Sequence, residues 1–162
     1  MSPTDDIQRQ FLRHTLATLA YRGGKTLRGA PESFAGFRVQ EDSRTPLEIL
    51  AHIGDLFDWA LHLFHGQHIW RDADLGTWDF QVERFFEGLR RFDEALASPE
   101  PLGFPAEKLF QGPIADALTH VGQIAMLRRL AGSPVRGENY FKADIAAGRV
   151  GREQEAARVE FD

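Results

Sequence analysis

The chain contains no cysteine among its 162 residues. That excludes disulfides, thiolate chemistry on the protein and Cys-ligated zinc or iron–sulfur centres. It has no apolar run near the ~18–20 residues of a membrane-crossing helix. Its opening residues, MSPTDDIQRQF, carry early acids and no apolar stretch. A secretory signal is therefore not expected, and the cytoplasm is the default compartment. Positive charge is not in excess: 19 Lys and Arg against 24 Asp and Glu leave a formal net charge of −5. That sign disfavours a dedicated nucleic-acid binder. No Gly-x-Ser-x-Gly elbow is present, and Arg22-Gly23-Gly24-Lys25 lacks the flanking Gly and Ser/Thr of a P-loop. Internal repeats, low-complexity tracts and strand-like alternation are absent as well.

What remains is helical. The length suits one domain, expected over residues 1–150 with a tail at 151–162. A first helix is expected from about Asp5 to Ala20, with Ile7, Phe11, Leu12, Leu16, Leu19 and Ala20 as its apolar stripe. Gly23 and Gly24 read as its stop, opening a long connector to Arg44. Thr45-Pro46-Leu47-Glu48 is a capping box with proline at the first helical position. It starts a second helix that should reach Phe64 or Gly66. A third is expected over Asp79 to Ala97, its face formed by Phe80, Val82, Phe85, Phe86, Leu89, Phe92 and Leu96. The fourth should run from Pro113, read as a first-turn proline, to Ala131, with Gly132 as the stop. After Pro134 the signal weakens to one short helix over Asn139 to Ala147. The charged stretch from Gly148 is either loosely attached or folded back. Four amphipathic helices of this length predict an all-α chain, a four-helix bundle with at least one crossover connection.

At about 100° per residue, most polar residues of the second helix fall opposite its apolar arc, among them Asp55, Asp58, His62 and His65. His52 is the exception, at the edge of the apolar side between Trp59 and Leu63. On the fourth helix His120 lies in line with Ile124 and Leu127, and Asp116 precedes it by one turn. An i,i+4 pair brings two ligands to one metal, as in His-Glu-x-x-His. His52, Asp116 and His120 thus offer two imidazoles and a carboxylate to a divalent transition metal: zinc, nickel, iron(II) or manganese. Three protein ligands leave positions for water or substrate. The alternative is a purely structural His52–Asp116 pair. His62, His65 and His68 read as solvated surface rather than a second metal cluster. Asp55 and Asp58 read as surface carboxylates, Asp55 close enough to His52 to orient it.

The stretch Arg44-Thr45-Pro46-Leu47-Glu48-Ile49-Leu50-Ala51-His52 resembles the start of the second helix in the DinB-like (YfiT-like) metal-dependent four-helix-bundle family. Where that family's fourth helix reads His-x-x-x-His-Arg-Gly-Gln, this chain has Asp116-Ala117-Leu118-Thr119-His120-Val121-Gly122-Gln123. The segment from Arg136 to Ile145 is similar to the tail of a bacterial subgroup. Two short motifs carry the resemblance, which spans residues 5–150. It implies an up-down-down-up bundle with a long crossover after the first helix, a homodimer, and a metal held by three histidines. Two of those positions match, His52 and His120; the third is Asp116, and Val121 replaces the motif's arginine.

Relatives in the family include thiol-dependent S-transferases and a maleylpyruvate isomerase that use low-molecular-weight thiols such as bacillithiol or mycothiol. The expectation that follows is a metal-activated thiol or water attacking a small-molecule substrate, by S-transfer or hydrolysis. Trp59, Gln123, Asn139 and Tyr140 are candidates to shape the pocket. No nucleic-acid or membrane partner is expected. The competing expectation is a non-catalytic dimeric binding or stress-response bundle in which the His/Asp cluster is structural.

Overall fold

The structure, a computed structural model, describes residues 3–161 and is all-α apart from one two-residue ladder. Helix α1 spans Pro3–Leu27, α2 Pro46–Phe64 and α3 Trp78–Ala97. A short α4, Ala106–Leu109, passes through a π-helical turn, Phe110–Ile114, into α5, Ala115–Leu130. Strand β1, Gly137–Glu138, pairs antiparallel with β2, Glu160–Phe161. Among the described residues no helix is long and apolar enough to cross a membrane.

The start of α2 follows its sequence signal. The Thr45 hydroxyl accepts from the Glu48 N–H at 3.1 Å, and the Glu48 carboxylate accepts from the Thr45 N–H at 2.6 Å. These two bonds satisfy donors that a helix start leaves open. Acceptance of the backbone N–H is the leading reason that Glu48 titrates below its ordinary range.

Two helix boundaries differ from expectation. Helix α1 does not stop at Gly23 and Gly24 but runs on to Leu27, and the left-handed residue beyond its end is Gly29. At Gly23 the Phe85 ring of α3 packs against α1: a β-carbon there would stand 2.5 Å from Phe85 Cζ. The helical cost of glycine, about 1 kcal/mol, is offset by that ring contact. At the other boundary, Pro113 lies inside the π-helical turn rather than at a helix start. Proline lacks an N–H and crowds the carbonyl four residues earlier, and the wider turn accommodates both defects.

Helices α1 and α2 each pack against both α3 and α5. The core is lined by Leu12, Leu16 and Leu19 of α1, Ile53 and Phe57 of α2, Phe85, Leu89 and Phe92 of α3, and Ile124 of α5. Ile7, Phe11 and Phe80, expected on inward faces, are instead largely exposed. Phe80 lies in the first turn of α3, and Ile7 and Phe11 border a surface groove beside α4, where Phe11 meets the Phe110 ring at 6.5 Å.

Buried arginines tie the ends together. Arg128 donates to the carbonyls of Thr26 (2.9 Å), Arg28 (3.0 Å) and Ser133 (2.7 Å). It therefore caps α1 rather than only its own helix. Arg9 does the same for α3 through the carbonyls of Leu96 (3.2 Å) and Ser98 (3.1 Å). Each places a guanidinium at the negative end of a helix dipole.

The first connector is tied to the start of α2 part-way along its length: the Leu47 N–H donates to the Ala35 carbonyl at 3.2 Å. The segment that returns along α2 is 65–77. Beyond its end, Arg84 near the start of α3 reaches back to the Ala51 carbonyl at 3.1 Å.

After α5 the expected short helix is only a 3-10 turn, Tyr140–Lys142. The tail folds back. Glu138 is buried, accepting from the Tyr21 hydroxyl at 2.5 Å and from Lys25 at 2.8 Å, and Lys25 also meets Glu160 at 2.7 Å. Val150 joins the core, and Arg152 lies 5.3 Å over the Phe86 ring. The ladder was invisible to periodicity because two-residue strands are too short to alternate.

Candidate metal centre

Helices α2 and α5 bring His52, Asp116 and His120 together, with one ligand atom from each lying within 4.8 Å of the others. Among the described residues this is the one group of three or more His, Cys, Asp or Glu that converges in this way. His52 Nε2 stands 3.4 Å from Asp116 Oδ2, and the two imidazole centroids are 4.7 Å apart.

The π-helical turn ends two residues before Asp116. One wide turn changes the phase of all that follows. It thereby sets which face of α5 carries Asp116 and His120 toward α2. The His120 ring is held by its Nδ1, 2.8 Å from the Asp116 main-chain carbonyl. A carbonyl can only accept, so Nδ1 carries the proton and the Nε2 lone pair is left for a ligand. Imidazoles that bind metals are oriented by this kind of second hydrogen bond.

The site sits at a rim rather than in the core. The His120 side chain is 12% exposed, His52 24% and Asp116 44%. His52 is thus less shielded than its position on the wheel implied.

The 65–77 connector closes one flank. Trp70 lies 5.5 Å from the His52 ring, centroid to centroid, and 5.8 Å from Trp59, which stacks at 5.5 Å on His68. Trp70 is held by an indole N–H to Asp72 at 3.0 Å. Sequence reasoning named Trp59 but missed Trp70. The available signal was the run His68-Ile69-Trp70 within an otherwise polar connector.

Asp55 is neither a surface carboxylate nor the partner of His52. It is buried, accepting from Arg84 at 2.6 Å and from the Ala73 N–H at 3.1 Å. It anchors the connector to α2. Asp58 shares the same guanidinium at 2.6 Å. His62 and His65 face Gln67 and Glu100, at 3.3 and 3.5 Å. Tyr140 stacks on α1, edge-on to Tyr21 and beneath Arg22. Among the described residues no hydrogen bond, ion pair or ring contact joins Gln123, Asn139 or Tyr140 to the three ligands.

Two imidazoles and one carboxylate form a donor set suited to zinc and to the other mid-row divalent metals. A metal held by these three donors at an accessible rim would keep positions for water or substrate.

Comparison with family models, with curated proteins and with solved structures finds no match for this chain.

Proposed function

We propose that His52, Asp116 and His120 hold a divalent transition metal, and that the chain is a metal-dependent enzyme of the DinB-like kind. The convergence of the three donors within 4.8 Å, from two helices, is the observation that carries the reading. The helix ends support the corresponding four-helix bundle. Arg128 ties the end of α5 to the end of α1, and Arg9 ties the start of α1 to the end of α3. Helices α2 and α3 then run against α1 and α5, the up-down-down-up order, with 65–77 as the crossover.

A divalent cation at this centre lowers the pKa of a bound thiol or water and so supplies a nucleophile at neutral pH. The chain's own residues supply the rest. The Asp116 carbonyl fixes the His120 tautomer. The Asp116 carboxylate adds the one negative charge among the donors. Trp70 and Trp59 form an apolar flank that limits water on the connector side. The absence of cysteine fits a thiol brought by a small-molecule co-substrate, with S-transfer or hydrolysis as the reaction class.

A structural His52–Asp116 pair is the poorer account. A side chain 44% exposed at 3.4 Å from its partner contributes little to stability.

The test is a screen of protein loaded with zinc, nickel, manganese or iron(II), using bacillithiol and an electrophilic substrate or an ester. Turnover should require the metal and disappear in His120→Ala. Turnover that survives in His120→Ala, or is absent with every metal, contradicts the assignment.

A further inference from the structure

On the flank of the connector facing α3 lies a cavity of about 400 Å³. Its volume falls in the range of small-molecule sites, about 300–1,000 Å³. Arg71 enters it from the connector and Arg91 from α3, with His62 and His65 of α2 beside them. Trp59 and Ile69 supply an apolar wall.

The charges there do not close among themselves. Asp58 also lines the cavity, but its carboxylate is engaged by Arg84 at 2.6 Å, which holds Asp55 as well, and Arg91 reaches it only at 3.9 Å. Arg71 has no hydrogen bond, ion pair or ring contact among the described residues. In a chain of net charge −5, two guanidiniums against one carboxylate in a single concavity, one of the guanidiniums without an anion, is a local reversal of sign.

We propose that this cavity binds a small organic anion. Its carboxylate or phosphate group is held by the Arg71 and Arg91 guanidiniums, and its apolar part rests on Trp59 and Ile69. A planar guanidinium matches either group with two parallel N–H donors. None of the three metal ligands lines the cavity, so the proposal stands apart from the metal reading.

Titration calorimetry at low salt with two probes, inorganic phosphate and succinate, tests it. Either probe should bind saturably at one site, and the tighter one identifies the anion class. Arg71→Gln combined with Arg91→Gln should weaken binding by about tenfold or more, as expected for the loss of charge-assisted hydrogen bonds. Both side chains are exposed, so the far-UV circular dichroism should not change. His120→Ala should bind the same probe undiminished, which separates this site from anion capture by a metal. Absence of saturable binding by both probes overturns the proposal, as does undiminished binding in the double variant.

Discussion

A β-carbon at Gly23 would meet the Phe85 ring at 2.5 Å, whereas one at Gly122 would meet nothing within 4 Å. Both glycines are helical, so they separate packing from propensity. Gly23→Ala should destabilise by about 1–3 kcal/mol, the range for overpacked cores. Gly122→Ala should stabilise by about 0.5–1 kcal/mol. Urea unfolding of both variants checks the pair. A stabilising Gly23→Ala would contradict the close approach of α1 and α3. The sequence could not reveal this difference, because a glycine at a helix crossing and a glycine that ends a helix are written with the same letter. The converging trio was more legible. His52 and His120 stood out as imidazoles facing apolar arcs, and Asp116 as the i−4 neighbour of one of them. Trp70 was not legible, because its place beside His52 depends on the path of a connector without periodicity. Asp55 was misplaced for a related reason: Arg84, which buries it, comes from another helix. The chemistry of Asp116 has its own test. Asp116→His recreates the three-histidine set of the resemblance and should keep metal stoichiometry; Asp116→Ala should lower metal affinity with little loss of stability, since the side chain is half exposed.

The start of α2 followed from local sequence because capping chemistry is local. The capping box of α2 is the example, and it has a pH signature. Glu48 is held below its ordinary value of 4.5, first by the bond from the Thr45 N–H. A depressed carboxylate contributes stability that is present above the unfolded-state pKa and lost as pH falls through the folded-state value. The stability difference between wild type and Glu48→Gln should therefore shrink on acidification below about pH 4.5. A difference that grows on acidification would contradict the cap. Helix ends were less legible, because two of them are finished by distant arginines. Arg128→Met removes the donors at the end of α1 and leaves the buried Thr26 carbonyl open, at about 1–3 kcal/mol. A drop in denaturation midpoint of that order is expected, with hydrogen exchange rising first at residues 24–29. The π-helical turn before α5 was hidden as well. Pro113 reads equally as a helix start or as an interruption until its surroundings are known.

Across the whole molecule, the all-α class followed from four amphipathic stripes, whereas the docking of the tail did not. Residues 137–161 are fastened through Glu138, buried against Tyr21 and Lys25, more than a hundred residues earlier in the chain. Burial, followed by the hydrogen bond to Glu138, raises the Tyr21 phenol well above its ordinary range. Glu138→Ala should raise hydrogen exchange in the tail and leave the helices protected. Equal deprotection throughout would mean that the tail is part of the cooperative core. The candidate metal centre is likewise a product of assembly: α2 and α5 bring its three side chains together, and the 65–77 connector walls one side. Its most direct test is elemental analysis of protein purified without chelator or affinity metal, beside His52→Ala and His120→Ala. The account predicts about one equivalent of a divalent transition metal in the wild type, lost in both variants while helicity is retained. Protein that takes up no zinc, nickel, manganese or iron(II) on incubation, or variants that keep the wild-type stoichiometry, would contradict it.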